Sequence, residues 1–350
     1  MLPWLATNGN RIVDRDTGSP VRLRGVNRSG LEYSEPSDRS APRVGFNEAA
    51  GLSFEDIRNI VEVWGSNIIR LPINQDWALR GRRGWTAETY LQDIDQVIDW
   101  ASGFGAYTLL DLQWLHADRP FGGNRNFVAP LPDLESIEFW RILAARHRRN
   151  TAVLYDLFNE PHDRLADDPY PMRRPDGTFY PADRYKVGVE DWKPWAIRLI
   201  DEIRAVHPDS LIFVSGTEWG FDLRGVPFTG VDLRPNIAYS THVYPNKGAG
   251  FLAGSFETRW TRAFGRVSQD VPVFAGELGG YDLDIDWGRR LFRYLDEREI
   301  GWTAWSWSDR PHLRLNGLPT PFGLLVQEAL LSTPRPQPIV AKLSWPPEPR

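Results

Sequence analysis

The run Val153-Leu154-Tyr155-Asp156-Leu157-Phe158-Asn159-Glu160-Pro161 is an apolar, strand-like stretch that ends abruptly in Asn-Glu-Pro. A near-continuous apolar run bounded by a turn signal reads as a strand buried on both faces, as in parallel sheets. A second such run, Val271-Pro272-Val273-Phe274-Ala275-Gly276-Glu277, also ends in a glutamate. With residues 152–158 and 271–277 as two of them, further candidate strands fall at 21–27, 67–71, 106–112, 211–215, 237–242 and 302–305. Amphipathic patterns between them predict helices over 54–64, 87–104, 134–149, 192–207, 255–267 and 287–298. Ser53 suits the N-cap of the first, with Asp56 three residues on, and Pro208 stops the fourth.

Strands alternating with helices imply the α/β class, and eight strands with intervening helices imply a (β/α)8 barrel. The chain reads as a single domain over residues 1–350. A short hairpin over 8–23, turning at Asp16-Thr17-Gly18, is expected to plug the barrel bottom. Residues 216–236 are too rich in Gly and Pro for a helix and read as a long loop. Residues 161–190 form a long insertion directly after Glu160, and loops of that length usually carry function or disorder. The Pro-rich tail, 333–350, is expected to wrap the surface or fray.

Composition narrows the function classes. The formal net charge is −5, and the short Arg146-His147-Arg148-Arg149 cluster suits a solvated helix terminus, so no nucleic-acid partner is expected. No stretch has the apolar length of a membrane span. The absence of cysteine excludes disulfides and thiolate metal sites, and no His-X-His or His-Glu-X-X-His motif suggests a metal; no cofactor is expected. The start Met1-Leu2-Pro3-Trp4 resembles the beginning of a mature domain, so a secreted or periplasmic, monomeric protein is expected. The sixteen tryptophans are unusual. Most should be core, but an indole face also suits the flat C–H face of a sugar ring.

Nearly every strand ends in a polar residue that a barrel core does not need. They are Arg70, then Asp111 and Gln113, Asn159 and Glu160, His242 and Tyr244, Glu277, and Trp305. In a barrel these ends meet at one face. Two glutamates there are what a retaining glycosidase requires, one as acid/base and one as nucleophile. A proton-donating Glu160 needs a raised pKa, and an attacking Glu277 needs cationic and donor neighbours.

The order and spacing of these motifs resemble glycoside hydrolase family 5, the cellulase family, over residues 20–330. The matching stretches are Arg22-Leu23-Arg24-Gly25-Val26-Asn27, Asn67-Ile68-Ile69-Arg70-Leu71-Pro72, Asn159-Glu160-Pro161-His162, Thr241-His242-Val243-Tyr244, Gly276-Glu277-Leu278-Gly279 and Trp302-Thr303-Ala304-Trp305-Ser306-Trp307. The resemblance implies Glu160 as acid/base, Glu277 as nucleophile and Arg70 beside the nucleophile. It implies Tyr244 as a donor to Glu277, Asn159 on the sugar 2-hydroxyl, His242 near the acid/base and Trp305 as a sugar platform. The expected substrate is a β-1,4-glucan. The alternatives are β-mannan, xyloglucan or another hemicellulose with the same mechanism, or a barrel that binds carbohydrate without cleaving it.

One position departs from the pattern. The family usually has Asp-X-His on strand three, and here the sequence is Asp111-Leu112-Gln113-Trp114. An amide donates and accepts but carries no titrating charge, which puts substrate preference in question more than reaction type. His116, in the loop beyond, could compensate or could be an exposed loop histidine. Glu32 could meet substrate or form a rim salt bridge. Trp77, Trp114 and Trp219 read as loop residues on the same face, each a candidate for stacking on sugar.

Overall fold

Eight parallel strands close into a barrel in the computed structural model of the protein. It describes residues 2–33, 52–81, 85–116, 129–165, 171–228, 230, 234–279, 285–307 and 313–332. The chain begins with β1 (Leu5–Asn8) and β2 (Arg11–Asp14), an antiparallel pair. The barrel strands are β3 (Arg24–Asn27), β4 (Ile68–Asn74), β5 (Tyr107–Trp114), β6 (Val153–Asp156), β7 (Ile212–Ser215), β8 (Ile237–Val243), β9 (Val273–Gly279) and β10 (Gly301–Trp305), each paired to the next, with β10 closing on β3. The described helices are α1 (Phe54–Arg58), α2 (Gln75–Arg80), α3 (Ala87–Gly103), α4 (Glu135–Arg146), α5 (Val189–Val206), α6 (Phe256–Trp260), α7 (Ile285–Asp296) and α8 (Pro321–Leu331). A small hairpin, β11 (Arg314–Leu315) with β12 (Leu318–Pro319), precedes α8.

The predicted strands all form, with ends shifted by a few residues. The predicted first helix forms as α1 followed by a π-helical segment, Asn59–Val63, and Ser53 caps it by accepting the Asp56 N–H. Helix α6 likewise continues into a wider turn, Thr261–Gly265. Two helices have no counterpart in the sequence reading. Helix α2 follows β4 at once, capped by Asn74, whose side chain accepts the Trp77 N–H. Helix α8 is capped by Thr320 with Pro321 in its first turn, a good start signal. No helix forms among the described residues of 216–236, as expected. The tail at 333–350 lies outside the described residues.

The hairpin differs from expectation in place. It turns at Gly9-Asn10, with Gly9 at φ 58°, and the predicted turn at Asp16-Thr17-Gly18 instead brings Val13 against Pro20. The chain has two turn signals there, and Asn8-Gly9 is the stronger hairpin signal because Gly tolerates positive φ without a Cβ clash. Its role is as anticipated. Buried Leu5 joins Leu23, Ile68, Leu109, Leu154, Phe213 and Phe274 in a cluster separate from the larger core. The Tyr107 hydroxyl donates to the Pro3 carbonyl at 2.8 Å, tying the hairpin to the barrel.

Strand alternation explains how the site is built. On β4, Ile69, Leu71 and Ile73 pack in the larger core with the helices, while Ile68 lies in the hairpin cluster and Arg70 follows it on that face. The same parity places Asp111 and Gln113 after Leu109, and Asp156 after Leu154. Glu277 breaks this parity, being three residues from Phe274. The pairing of β8 with β9 slips there: Thr241 faces Ala275 but His242 faces Glu277. An extra residue of this kind re-aims the next side chain, which turns Glu277 inward. Gly276 suits the slip because a Cβ there would lie 2.4 Å from Ser240 Oγ.

Candidate active site

Arg70 organises the site. Its side chain is fully buried, and its fork reaches four elements. Nε donates to Asp156 at 2.9 Å; Nη1 donates to Asn27 at 2.9 Å and to Glu277 Oε1 at 3.0 Å; Nη2 donates to Asn159 at 2.9 Å. Asp111 Oδ1 lies 3.0 Å from Nη2, an ion pair without a directed hydrogen bond. Burial pushes Asp111 well above the usual carboxylate range against the pull of Arg70, with Asp156, Glu277 and Glu32 adding to the rise. Asp156 is also raised by burial, with Arg70 as the main opposing influence. Burial would lower the Arg70 pKa, but Asp111, Asp156 and Glu277 together raise it. A guanidinium suits this place because it stays charged and offers five donors in a planar fork.

Glu277 has a donor on each oxygen: Arg70 on Oε1, and the Tyr244 hydroxyl on Oε2 at 2.6 Å. Burial, then the neighbouring Glu277 charge, raise the Tyr244 pKa well above its usual value, so the phenol keeps its proton as donor. Across from Glu277, Glu160 accepts from His242 Nδ1 at 2.9 Å and from Lys247 Nζ at 3.1 Å. His242 Nδ1 is also 3.6 Å from Glu277 Oε2, so it bridges the two carboxylates.

The raised pKa expected of Glu160 is not found in the free protein. Burial acts upward, but the attraction of Lys247, together with the His242 and Lys247 hydrogen bonds and the His242 charge, outweighs it and holds Glu160 at about 2. One oxygen each of Glu160 and Glu277, with a His242 ring nitrogen, lie within 4.8 Å of one another. Sequence spacing could not show this cluster. The distances would admit a cation, but Lys247 and Arg70 already place a positive group on each carboxylate.

The other expected residues divide. Asn159 is buried with its side chain on Arg70. Gln113 is buried, and its Oε1 has no hydrogen-bond partner among the described residues. Trp305 ends β10 partly exposed. Trp219 is partly exposed and stacks on His162, ring centroids 3.6 Å apart. Trp114 is partly exposed and tilts against Tyr33. Glu32 is buried, its Oε2 accepting the Gly30 N–H at 2.6 Å. His116 is partly exposed, with Nδ1 3.9 Å from Asp76. Trp77 must be corrected. It lies on α2, is 2% exposed, and packs against Trp85 and Tyr90, so it has no face for a sugar.

The sequence reading missed Asn27, Asp156 and Lys247. Asp156 carried a signal, a lone charge inside an apolar strand. Asn27 ends β3 much as the other polar residues end theirs. Lys247 carried none, since a lysine in a Pro-Asn-Lys-Gly turn is ordinary.

A parallel eight-stranded barrel with two facing carboxylates at its C-terminal mouth is the architecture of a barrel glycosidase. Comparison with known proteins agrees. A family model described as cellulase, glycosyl hydrolase family 5, matches residues 16–311. The chain belongs to this family and is a glycoside hydrolase. It is 26% identical over 341 residues to an endoglucanase of Paenibacillus polymyxa, covering 86% of this chain and 78% of that one. It is 27% identical over 319 residues to endoglucanase E-5 of Thermobifida fusca, covering 86% of this chain and 55% of that one. The chain spans about half the length of several of the curated relatives it matches. A solved beta-glucanase of Saccharophagus degradans shares the fold at a TM-score of 0.72 and 23% identity, over 95% of this chain and 94% of that one.

Proposed function

We propose that the protein cleaves β-1,4-glucan with retention of configuration, by double displacement. Glu277 attacks the anomeric carbon while Glu160 protonates the departing oxygen. Water then opens the glycosyl ester as Glu160 takes its proton, and Glu277 leaves as a carboxylate. The observation that carries this reading is the approach of Glu160 and Glu277 oxygens to within 4.8 Å. Retaining enzymes hold their carboxyl groups about 5–5.5 Å apart, whereas inverting enzymes need about 6.5–9.5 Å to admit a water. Two further supports are the donors on both Glu277 oxygens, which orient it for attack, and Asn159, placed beside Arg70 to meet a sugar hydroxyl.

The glucan assignment leans on the relatives. The Paenibacillus polymyxa and Thermobifida fusca relatives are named endoglucanases, and solved structures of the Saccharophagus degradans beta-glucanase and the Thermobifida fusca endoglucanase hold cellotetraose. A second reading, the same chemistry on β-mannan, xyloglucan or another hemicellulose, is favoured by Gln113, whose buried acceptor faces no protein donor among the described residues. A polymeric substrate also suits a secreted or periplasmic enzyme. No described helix is long and apolar enough to cross a membrane.

The test is a panel of carboxymethyl cellulose, mixed-linkage glucan, galactomannan and xyloglucan with product sizing, followed by NMR of the newly released anomer. Glu277→Ala should abolish activity on every substrate. Glu160→Ala should keep activity on aryl glycosides with good leaving groups and be rescued by azide, which attacks without base help. Inverted product, or azide rescue of Glu277→Ala with retained product, would overturn the assignment of roles.

A further inference from the structure

Both donors that reach the Glu160 carboxylate land on one oxygen. His242 Nδ1 and Lys247 Nζ both bond Oε1, at 2.9 and 3.1 Å, while Oε2 has no hydrogen-bond partner among the described residues. Lys247 is also held apart from Glu160. Its Nζ donates to the Trp219 carbonyl at 2.5 Å, its N–H donates to the Tyr244 carbonyl at 3.1 Å, and its carbonyl accepts from Arg259 at 3.2 Å. The ammonium lies 5.7 Å from the Tyr244 ring centroid and 6.0 Å from that of Trp219. It is thus placed by its surroundings as well as by the carboxylate.

The other titratable groups facing Glu160 have other commitments. The Tyr244 hydroxyl is given to Glu277, and Glu277 to Arg70. His162 Nδ1 lies 2.6 Å from the Glu160 main-chain carbonyl, not its carboxylate. His242 is shared between Glu160 and Glu277. Lys247 is the charged amine on Glu160 alone.

We propose that Lys247 is the positioning residue of the acid/base carboxyl group: with His242 it anchors Oε1, so that Oε2 exchanges the proton with substrate and water. This rests on the reading of Glu160 as acid/base. In the first step the proton on Oε2 passes to the glycosidic oxygen as the C1–O bond breaks and Glu277 bonds C1. In the second, a water proton passes to Oε2 as the water oxygen bonds C1 and the ester bond to Glu277 breaks. Lys247 stabilises the charge that Glu160 gains in the first transfer and holds the base ready for the second. The downward pull on Glu160 against its burial agrees with this.

The test is the pH dependence of kcat/KM in Lys247→Met, with the best glycan of the panel as substrate. The basic limb reports loss of the proton from the carboxyl pair as a whole. A cation this close lowers a carboxyl pKa by about 1–3 units. Its loss should therefore move the basic limb up by about 1–3 pH units, while Lys247→Arg leaves it near the parent. On a dinitrophenyl glycoside, whose departure needs no proton, the limb should not move in either variant. A limb that stays with the parent on the glycan, or moves equally on both substrates, overturns the proposal. Lys247→Gln, which keeps a donor without the charge, carries the same expectation if the Met variant does not fold. Azide rescue of Glu160→Ala separates the two ideas. Rescue with an unmoved limb defeats the Lys247 proposal alone, whereas no rescue defeats the acid/base reading beneath it.

Discussion

Removing Arg70 should unfold the site from within, and the loss should depend on pH. Arg70→Ala takes the only guanidinium among the described residues that pairs with Asp111, Asp156 and Glu277, all buried. Breaking a buried ion pair from one side costs about 3–5 kcal/mol, because the remaining charge is left uncompensated. The side-chain oxygens of Asn27 and Asn159 also lose their Arg70 donors, and an orphaned buried acceptor costs about 1–3 kcal/mol. A total above about 5 kcal/mol is comparable with the whole stability of many proteins. The sign of the pH dependence follows from the carboxylates. Burial raises Asp111 and Asp156, and Arg70 is the first influence opposing it in each. Without Arg70 both rise further above their unfolded values. Stability from such a group is complete below the unfolded pKa, about 4, and is lost as pH rises through the folded one. The variant should therefore be weakest at neutral pH and recover toward pH 5. Urea denaturation of parent, Arg70→Ala and Arg70→Lys at pH 5 and 7, read by tryptophan fluorescence, measures this. Arg70→Lys keeps the cation and should lose less. A loss for Arg70→Ala under about 2 kcal/mol at both pH values, below the range for a broken buried pair, or a loss that grows on acidification, would refute the reasoning.

Two further expectations concern other buried polar groups. Gln113 holds a buried acceptor with no hydrogen-bond partner among the described residues. Gln113→Met, similar in volume, should therefore leave thermal stability equal or higher while lowering kcat/KM by roughly tenfold to a hundredfold; unchanged kcat/KM would make the position neutral. At the other end of the barrel strands, burial lowers both His147 and His207 to about 4, with His207 Nδ1 2.8 Å from the Tyr155 hydroxyl. For a histidine depressed in this way the unfolded chain binds the extra proton, so stability is lost as pH falls from about 6.5 toward 4, by at most about 3 kcal/mol for each. His207→Gln should flatten the fall in urea midpoint across that window, and an equally steep fall would mean that His207 does not contribute to it.

What the sequence made legible follows from periodicity. Because barrel strands alternate between the barrel interior and the helices, a polar residue at the mouth end of an apolar strand has one place to go, and Arg70, Asn159, Glu160 and His242 go there. Asp156 obeys the same rule, but a strand expected over 152–158 makes it an interior position, whereas β6 ends at Asp156 itself. Trp77 failed for a related reason. By sequence the residues around Trp77 read as a loop, but the Asn74 cap starts α2 immediately after β4, and a helix at that point turns the indole into the core. Glu277 is the subtler case. Strict alternation from Phe274 would point it toward the helices, and its inward aim depends on a slip of pairing at Gly276 that no local pattern announces. Lys247 lies beyond any such reasoning. It meets Glu160 across 87 residues of chain, through a turn whose sequence serves equally well anywhere on a surface. Strand ends could therefore supply the two carboxylates, but the ammonium that meets Glu160 comes from a loop folded over it, and only the assembled barrel brings that charge into reach.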